Sequence, residues 1–171
     1  MLNKKVAKAM NEQINKELYS AYLYLAMANY FEEQGLSGFA NFFTVQAKEE
    51  EDHAWGFRKY LIHRGAPVEL FTIEKPDAEF KTLRDAFAIT VDHERYVSRS
   101  IEDILELAHA EKDHMSAEFL QWYIKEQAEE ENSAETNLAT FDFVSDNKGV
   151  LYNFNLALGK REYHPGGPEI D

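Results

Sequence analysis

The sequence predicts an all-α fold: a four-helix bundle with one long crossover and a short fifth helix. Three observations predict it. Apolar residues recur at alternating steps of four and three along four long segments, the seam of a bundle helix. Turn residues separate these segments, with Gly35 after the first and Gly65-Ala66-Pro67 after the second. Only between the second and third segments, up to about Lys81, does a long stretch lack helical period.

The first helix runs from Asn3 to about Glu33 without glycine or proline, and its seam is Met10, Ile14, Glu17, Ala21, Tyr24, Ala28 and Phe31. Gly35 supplies the stop and Ser37 the expected N-cap of the next helix, so the short link makes the two antiparallel. The second helix, about Gly38 to Arg64, carries Phe39, Phe43, Gln46, Glu50, His53, Phe57 and Tyr60 on its seam. About 16 residues of crossover reach ~50 Å when extended, more than the ~40 Å length of the helix before it, so helices two and three can run parallel. Thr82 and Asp85 form a near capping box for the third helix, whose seam is Leu83, Phe87, Thr90, Glu94, Val97, Ile101, Ile104 and Ala108. Asp113 caps the fourth, running to about Phe143 with Ser116, Leu120, Tyr123, Gln127, Glu130, Ala134, Asn137 and Phe141 on its seam. A fifth helix, about 147–159, presents Val150, Leu151, Phe154 and Leu158 on one face, and the tail 160–171, with Pro165-Gly166-Gly167-Pro168, is irregular. The whole of 1–171 is expected to be one domain, with the bundle at about 3–143.

Composition bounds the function. The chain has no cysteine, which excludes disulfides, thiolate metal sites and cysteine nucleophiles. Its start has neither the apolar core nor the small-residue cleavage site of a signal peptide, and no apolar run approaches a membrane span; the expectation is a cytoplasmic protein without a membrane partner. A formal charge of −13 with no basic patch argues against nucleic acid and for cations as guests. With 44% hydrophobic and 13% aromatic residues, the carboxylates sit on a folded scaffold.

Glu17, Glu50, His53, Glu94, Gln127 and Glu130 all fall on core seams near the middle of their helices, so they meet at one level of the bundle. Four carboxylates in a small apolar space repel one another, and burying each unpaired costs several kcal/mol. Protonation or bound cations must compensate. Two divalent ions can engage ligands from four helices where one cannot, with Glu50 bridging; an oxygen-rich set with one imidazole suits iron, manganese and zinc being competitors. Glu49, Glu126 and Glu129 lie one residue aside, either a solvated acidic face or the edge of the same site. Glu51, Asp52 and Glu131 read as surface charge, and His63, His93, His109, His114 and His164 as ordinary polar residues.

The chain resembles the ferritin family, and most closely bacterial non-haem ferritins. The resemblance is carried by Asn11-Glu12-Gln13 leading to Glu17-Leu18-Tyr19-Ser20, by Glu49-Glu50 with His53, by Glu94, and by Phe119-Leu120-Gln121-Trp122-Tyr123 followed by Glu126-Gln127 and Glu129-Glu130. It implies a first iron site of Glu17, Glu50 and His53 with Gln127 close by, and a second of Glu50, Glu94 and Glu130. It further implies a third iron near Glu49, Glu126, Glu129 and Glu130, and a contact between Tyr24 and the bridging carboxylate. The implied activity is oxidation of Fe(II) by dioxygen or hydrogen peroxide, with ferric mineral stored in a hollow shell of twenty-four subunits.

Two departures from relatives bear on this. Symmetric di-iron proteins carry a second Glu-x-x-His where this chain has Gln127 and Glu130, and the lower ligand count suits an iron that leaves for a mineral. Bacterioferritins place a haem-ligating methionine directly after the bridging glutamate; here Glu51 stands there, so no haem is expected. Competing expectations are a di-iron oxidoreductase or peroxidase that does not store iron, and a non-catalytic metal buffer.

Overall fold

The computed structural model describes residues 2–77 and 79–170; Met1, Ala78 in the crossover and Asp171 at the end of the tail lie outside the described residues. Five helices follow in order, α1 (Lys4–Glu33), α2 (Ser37–His63), α3 (Leu83–Ala110), α4 (His114–Val144) and α5 (Lys148–Leu158), and no strand occurs among the described residues. None of these helices is long and apolar enough to cross a membrane.

Local chemistry sets the ends. Asn3, Asp113 and Asn147 each cap the following helix by accepting from a backbone N–H of its first turn, and Thr82 with Asp85 forms a full capping box. After α1 the Gly35 N–H donates to Glu32 O and the Leu36 N–H to Phe31 O, a Schellman closure that requires the left-handed φ of +71° at Gly35. This closure corrects the expected cap: Leu36 is the N-cap of α2, without a side-chain bond, and Ser37 already lies in the first turn. The α3–α4 link closes in the same way, with Lys112 in the left-handed position at φ 57°.

Side-chain pairs give the helix directions. Ser20 meets His93 while Gln13 meets Ser100, so α1 and α3 run antiparallel; Gln46 meets Glu130 while Tyr60 meets Ser116, so α2 and α4 do likewise. The crossover makes this topology possible by running along α1. Asn11 receives the Glu69 N–H and donates to Pro67 O, the amide of Asn15 reaches Phe71 O and Thr72 O at 3.2 Å, and the Tyr30 ring lies tilted against Phe80 at 5.0 Å. Helices α2 and α3 are therefore parallel.

The apolar core is divided in two. One half gathers Met10, Ile14, Phe57, Leu61, Ile101 and Leu120, and the other Met27, Phe31, Phe39, Phe43, Phe87 and Phe141. Burial of each such side chain contributes roughly 1.5–3 kcal/mol, so both halves hold the four helices in register from either side of the middle level. The second half is closed by α5. A Cβ at Gly38 would fall 1.8 Å from Asn155 O, so only glycine admits this approach, and Asn155 accepts the Phe39 N–H at 2.9 Å. On α5 the expected apolar face is only partly buried: Leu151, Phe154 and Leu158 are half-buried, Val150 is exposed, and polar Asn155 is the residue buried. The tail is irregular as expected but lies on α2, where Tyr163 and the Gly166 N–H both donate to Asp52.

Candidate metal centre

Between the two apolar halves lies a polar level. Glu17 from α1, Glu50 and His53 from α2, Glu94 from α3, and Gln127 and Glu130 from α4 converge there, because each occupies the seam turn that separates the two core clusters. Glu17, Glu50, His53, Glu94 and Gln127 are all at most 3% exposed; Glu130 is half-buried as a residue, but its Oε2 is shut off from solvent.

Two ligand-competent groups form at this level. Glu17, Glu50 and His53 bring one donor atom each within 4.8 Å of one another, and so do Glu50, Glu94 and Glu130. Glu50 belongs to both. Its two carboxylate oxygens have no hydrogen-bond partner, nor has Glu17 Oε2 or Glu130 Oε2, while His53 Nδ1 lies 3.5 Å from Glu50 Oε2. Buried carboxylate oxygens are rarely left bare, so this set is chemically incomplete as a purely protein structure, and its donors are of the kind that could hold a cation.

The remaining oxygens are held by amides. Gln13 Nε2 donates to Glu17 Oε1 at 2.9 Å, Gln46 Nε2 to Glu130 Oε1 at 2.9 Å, and Gln127 Nε2 to Glu94 Oε2 at 3.1 Å. Tyr24 donates to the other oxygen of Glu94 rather than to Glu50. Behind Gln13 stands a relay, Lys16 Nζ to Ser100 Oγ at 2.5 Å and Ser100 Oγ to Gln13 Oε1 at 2.6 Å. Each outer carboxylate thus has its orientation fixed by a glutamine, and only the shared one is free to adjust.

Electrostatics agree with this division. Burial, then the charges of Glu94 and Glu17, pushes the Glu50 carboxyl well above the usual range, and burial with Glu94 and Glu50 does the same for Glu130. Burial also raises Glu17 and Glu94, against the bonds from Gln13, Tyr24 and Gln127 that favour their charged forms. Burial alone would lower His53, but Glu130, Glu17, Glu126 and Glu94 outweigh it and the net shift is upward. In the absence of cations this level of the bundle holds on to protons. Tyr24, raised well above its ordinary value by burial and then by Glu94 and Glu50, stays a phenol.

The acidic edge is arranged differently from expectation. Glu49, Glu126, Glu129 and Glu130 are not gathered as one set: Glu129 is exposed, and Glu49 is engaged by the Arg161 guanidinium of the tail. Glu126 and Glu130 instead join His53 in a third group. A cavity of about 70 Å³ beside it is lined by Glu49, Asp52, His53, Trp122, Glu126 and His164 among others, so His164 lies at the rim of the site. His93, expected as an ordinary polar residue, is held by Ser20 Oγ at 2.8 Å and packs edge-on to Tyr24 at 6.0 Å; burial lowers its pKa to about 4. Its own helix gave no sign of this, because the partner stands on α1, 73 residues away. Gln13 was legible only as the residue four before Glu17, a spacing that places both on one helix face.

The profile of the Ferritin-like domain matches residues 7–144. The chain is 35% identical over 163 residues to the bacterial non-heme ferritin of Staphylococcus aureus, covering 95% of this chain and 98% of that protein. It is 36% identical over 164 residues to the bacterial non-heme ferritin of Staphylococcus epidermidis, covering 96% and 99%. Among solved structures, an open-pore ferritin from the hyperthermophilic archaeon Archaeoglobus fulgidus superposes with a TM-score of 0.93 at 39% identity, covering 95% of this chain and 100% of that one. An engineered closed form of the Archaeoglobus fulgidus ferritin gives 0.94 at 38%, covering 96% and 100%.

Proposed function

The chain belongs to the ferritin family, and from that premise we propose that it stores iron, oxidising Fe(II) as its substrate at a dinuclear centre inside each bundle. Glu17, Glu50 and His53 hold one ion, Glu50, Glu94 and Glu130 the other, and Glu50 bridges. The observation that carries this reading is the row of four bare buried oxygens, Glu17 Oε2, both of Glu50 and Glu130 Oε2, on two ligand groups that share one residue. Carboxylates prefer the harder Fe(III), so oxidation is favoured where they dominate the ligand set.

Each Fe(II) gives up one electron. A pair held on one bridging carboxylate delivers two, which with two protons takes dioxygen to hydrogen peroxide or hydrogen peroxide to two waters. The centre can take up protons as metal leaves, because its carboxyls are raised, and Tyr24 and Gln127 keep Glu94 oriented throughout. Gln127 donates a hydrogen bond where the glutamate of a second Glu-x-x-His would have bound metal, which leaves the ions more loosely held and suits release of Fe(III) to a mineral. Glu126, with Glu130 and His53, offers a third and weaker position on the way out. Haem has no part in this reading.

Storage requires a container. Apolar side chains on outward surfaces, among them Leu70 at 70% exposure with Tyr22, Leu25 and Phe71, support self-association, which we take to be the hollow shell of twenty-four subunits in the cytoplasm. The test combines two measurements. Size-exclusion chromatography with iron loading should give a large assembly holding far more than two irons per subunit, and Fe(II) oxidation under dioxygen or peroxide should collapse in His53→Ala. A small oligomer that retains two irons per subunit would replace storage with a plain oxidoreductase, and oxidation no faster than in buffer would leave only a metal buffer.

A further inference from the structure

The C-terminal tail brings a permanent cation to the edge of the centre. Arg161 Nη2 donates to Glu49 Oε2, Nη1 donates to Gln46 Oε1 at 2.7 Å, and the guanidinium lies 4.7 Å from the centroid of the Phe42 ring. Both partners are mostly withdrawn from water, the Arg161 side chain being 29% exposed and that of Glu49 25%. The backbone behind it is fixed, since Asn41 Nδ2 donates to Arg161 O at 2.9 Å. Gln46 then turns its amide nitrogen toward Glu130, so a continuous path of hydrogen bonds leads from Arg161 through Gln46 to a carboxylate of the second ligand group.

Charge decides what this arrangement does. Glu49 and Glu126 line the same small cavity next to His53, where two carboxylates would otherwise offer themselves to a metal ion together with Glu130. The guanidinium already engages one of them through Nη2 in a charge-assisted hydrogen bond, while its Nη1 is committed to Gln46. A divalent ion can recruit Glu49 only by displacing a tethered arginine, so the effective concentration of the competitor is high and does not vary.

We propose that Arg161 is a built-in cation that keeps a third metal ion off Glu49, and that through Gln46 it positions Glu130 for the second ion. This rests on the two-ion reading of the centre given above. The tail thereby sets how many ions the edge retains: two are held in the centre, and the third passes Glu126 without being trapped.

The test uses Zn²⁺, which binds such sites without redox chemistry, on the assembled full chain by isothermal titration and equilibrium dialysis. Arg161→Gln should tighten a third Zn²⁺ per chain by about tenfold or more, the worth of releasing one partly buried carboxylate from its partner. Glu49→Gln added to Arg161→Gln should remove that gain, and Arg161→Lys, which keeps the charge, should stay within about threefold of the parent. Tyr163→Phe loosens the tail from Asp52 without removing the cation and should change nothing. Circular dichroism and size exclusion establish that the variants fold and assemble. An unchanged third ion in Arg161→Gln, a gain that survives loss of Glu49, or a gain equally produced by Tyr163→Phe overturns the proposal. Failure of the two-ion reading shows separately, as the absence of two tight ions that Glu50→Ala abolishes.

Discussion

Replacing Glu50 by glutamine separates what the centre does for the fold from what it does for iron. Glu50 is 1% exposed, both its oxygens lack partners, and burial with Glu94 and Glu17 makes its charge unwelcome. Glutamine has the same shape, carries no charge, and offers N–H groups to neighbours such as the bare Glu17 Oε2. Relief of one unsatisfied buried acidic group is worth about 1–3 kcal/mol, which in a chain of this size raises the midpoint of thermal unfolding by roughly 3–10 °C. The sign follows from linkage: with raised carboxyl pKa values the native chain binds more protons than the unfolded one, so metal-free stability falls as pH rises above the ordinary carboxylate range. The gain in Glu50→Gln should therefore be larger at pH 8 than at pH 5. Chelator-treated protein followed by calorimetry gives the midpoint, and stopped-flow absorbance of the ferric product gives the rate. The variant should melt higher without metal, gain less from added Zn²⁺, and oxidise Fe(II) at least about a hundredfold more slowly. A variant that melts lower without metal and still oxidises at the parent rate would refute the reasoning.

Other substitutions probe the supports. Gln13→Ala leaves Glu17 Oε1 without its donor, so Zn²⁺ affinity measured by competition with a chelating dye should fall about 10- to 100-fold while the fold is retained. His93 is held neutral with a pKa of about 4, so the unfolded chain binds a proton that the native one does not, and this group costs about 3 kcal/mol of stability between pH 6.5 and 4. His93→Gln should flatten that part of the urea-unfolding profile without changing stability near pH 8. Phe57 is fully buried and stacks on Tyr123 at 4.1 Å, so Phe57→Ala should cost about 3–5 kcal/mol in the same assay.

Helical seams made most of this architecture legible, because a four-three period is a local property that survives without knowledge of partners. The level of Glu17, Glu50, His53, Glu94, Gln127 and Glu130 followed from that period and from helix length. What the period cannot carry is any contact that joins distant segments at positions off a seam. Arg161 meets Glu49 across 112 residues from an irregular tail, and the buried face of α5 is set by Asn155 against Gly38, a polar residue chosen by a backbone approach rather than by hydrophobicity. The error at Ser37 has a similar origin. A serine after a glycine looks like a cap, but the Schellman closure spends Leu36 on both helices at once. For the edge carboxylates, Glu49 and Glu126 do line one cavity, but Glu129 faces solvent and Glu49 is engaged by an arginine from the tail, a contact that no helical period encodes.

The central claim is that two ions share Glu50. Anomalous scattering at the iron edge, from crystals soaked anaerobically in Fe(II), tests it most directly. Two peaks per chain are expected, one among Glu17, Glu50 and His53 and one among Glu50, Glu94 and Glu130, each with a Glu50 oxygen as ligand. A single peak, or iron found only at surface carboxylates with Glu50 unligated, would contradict the account.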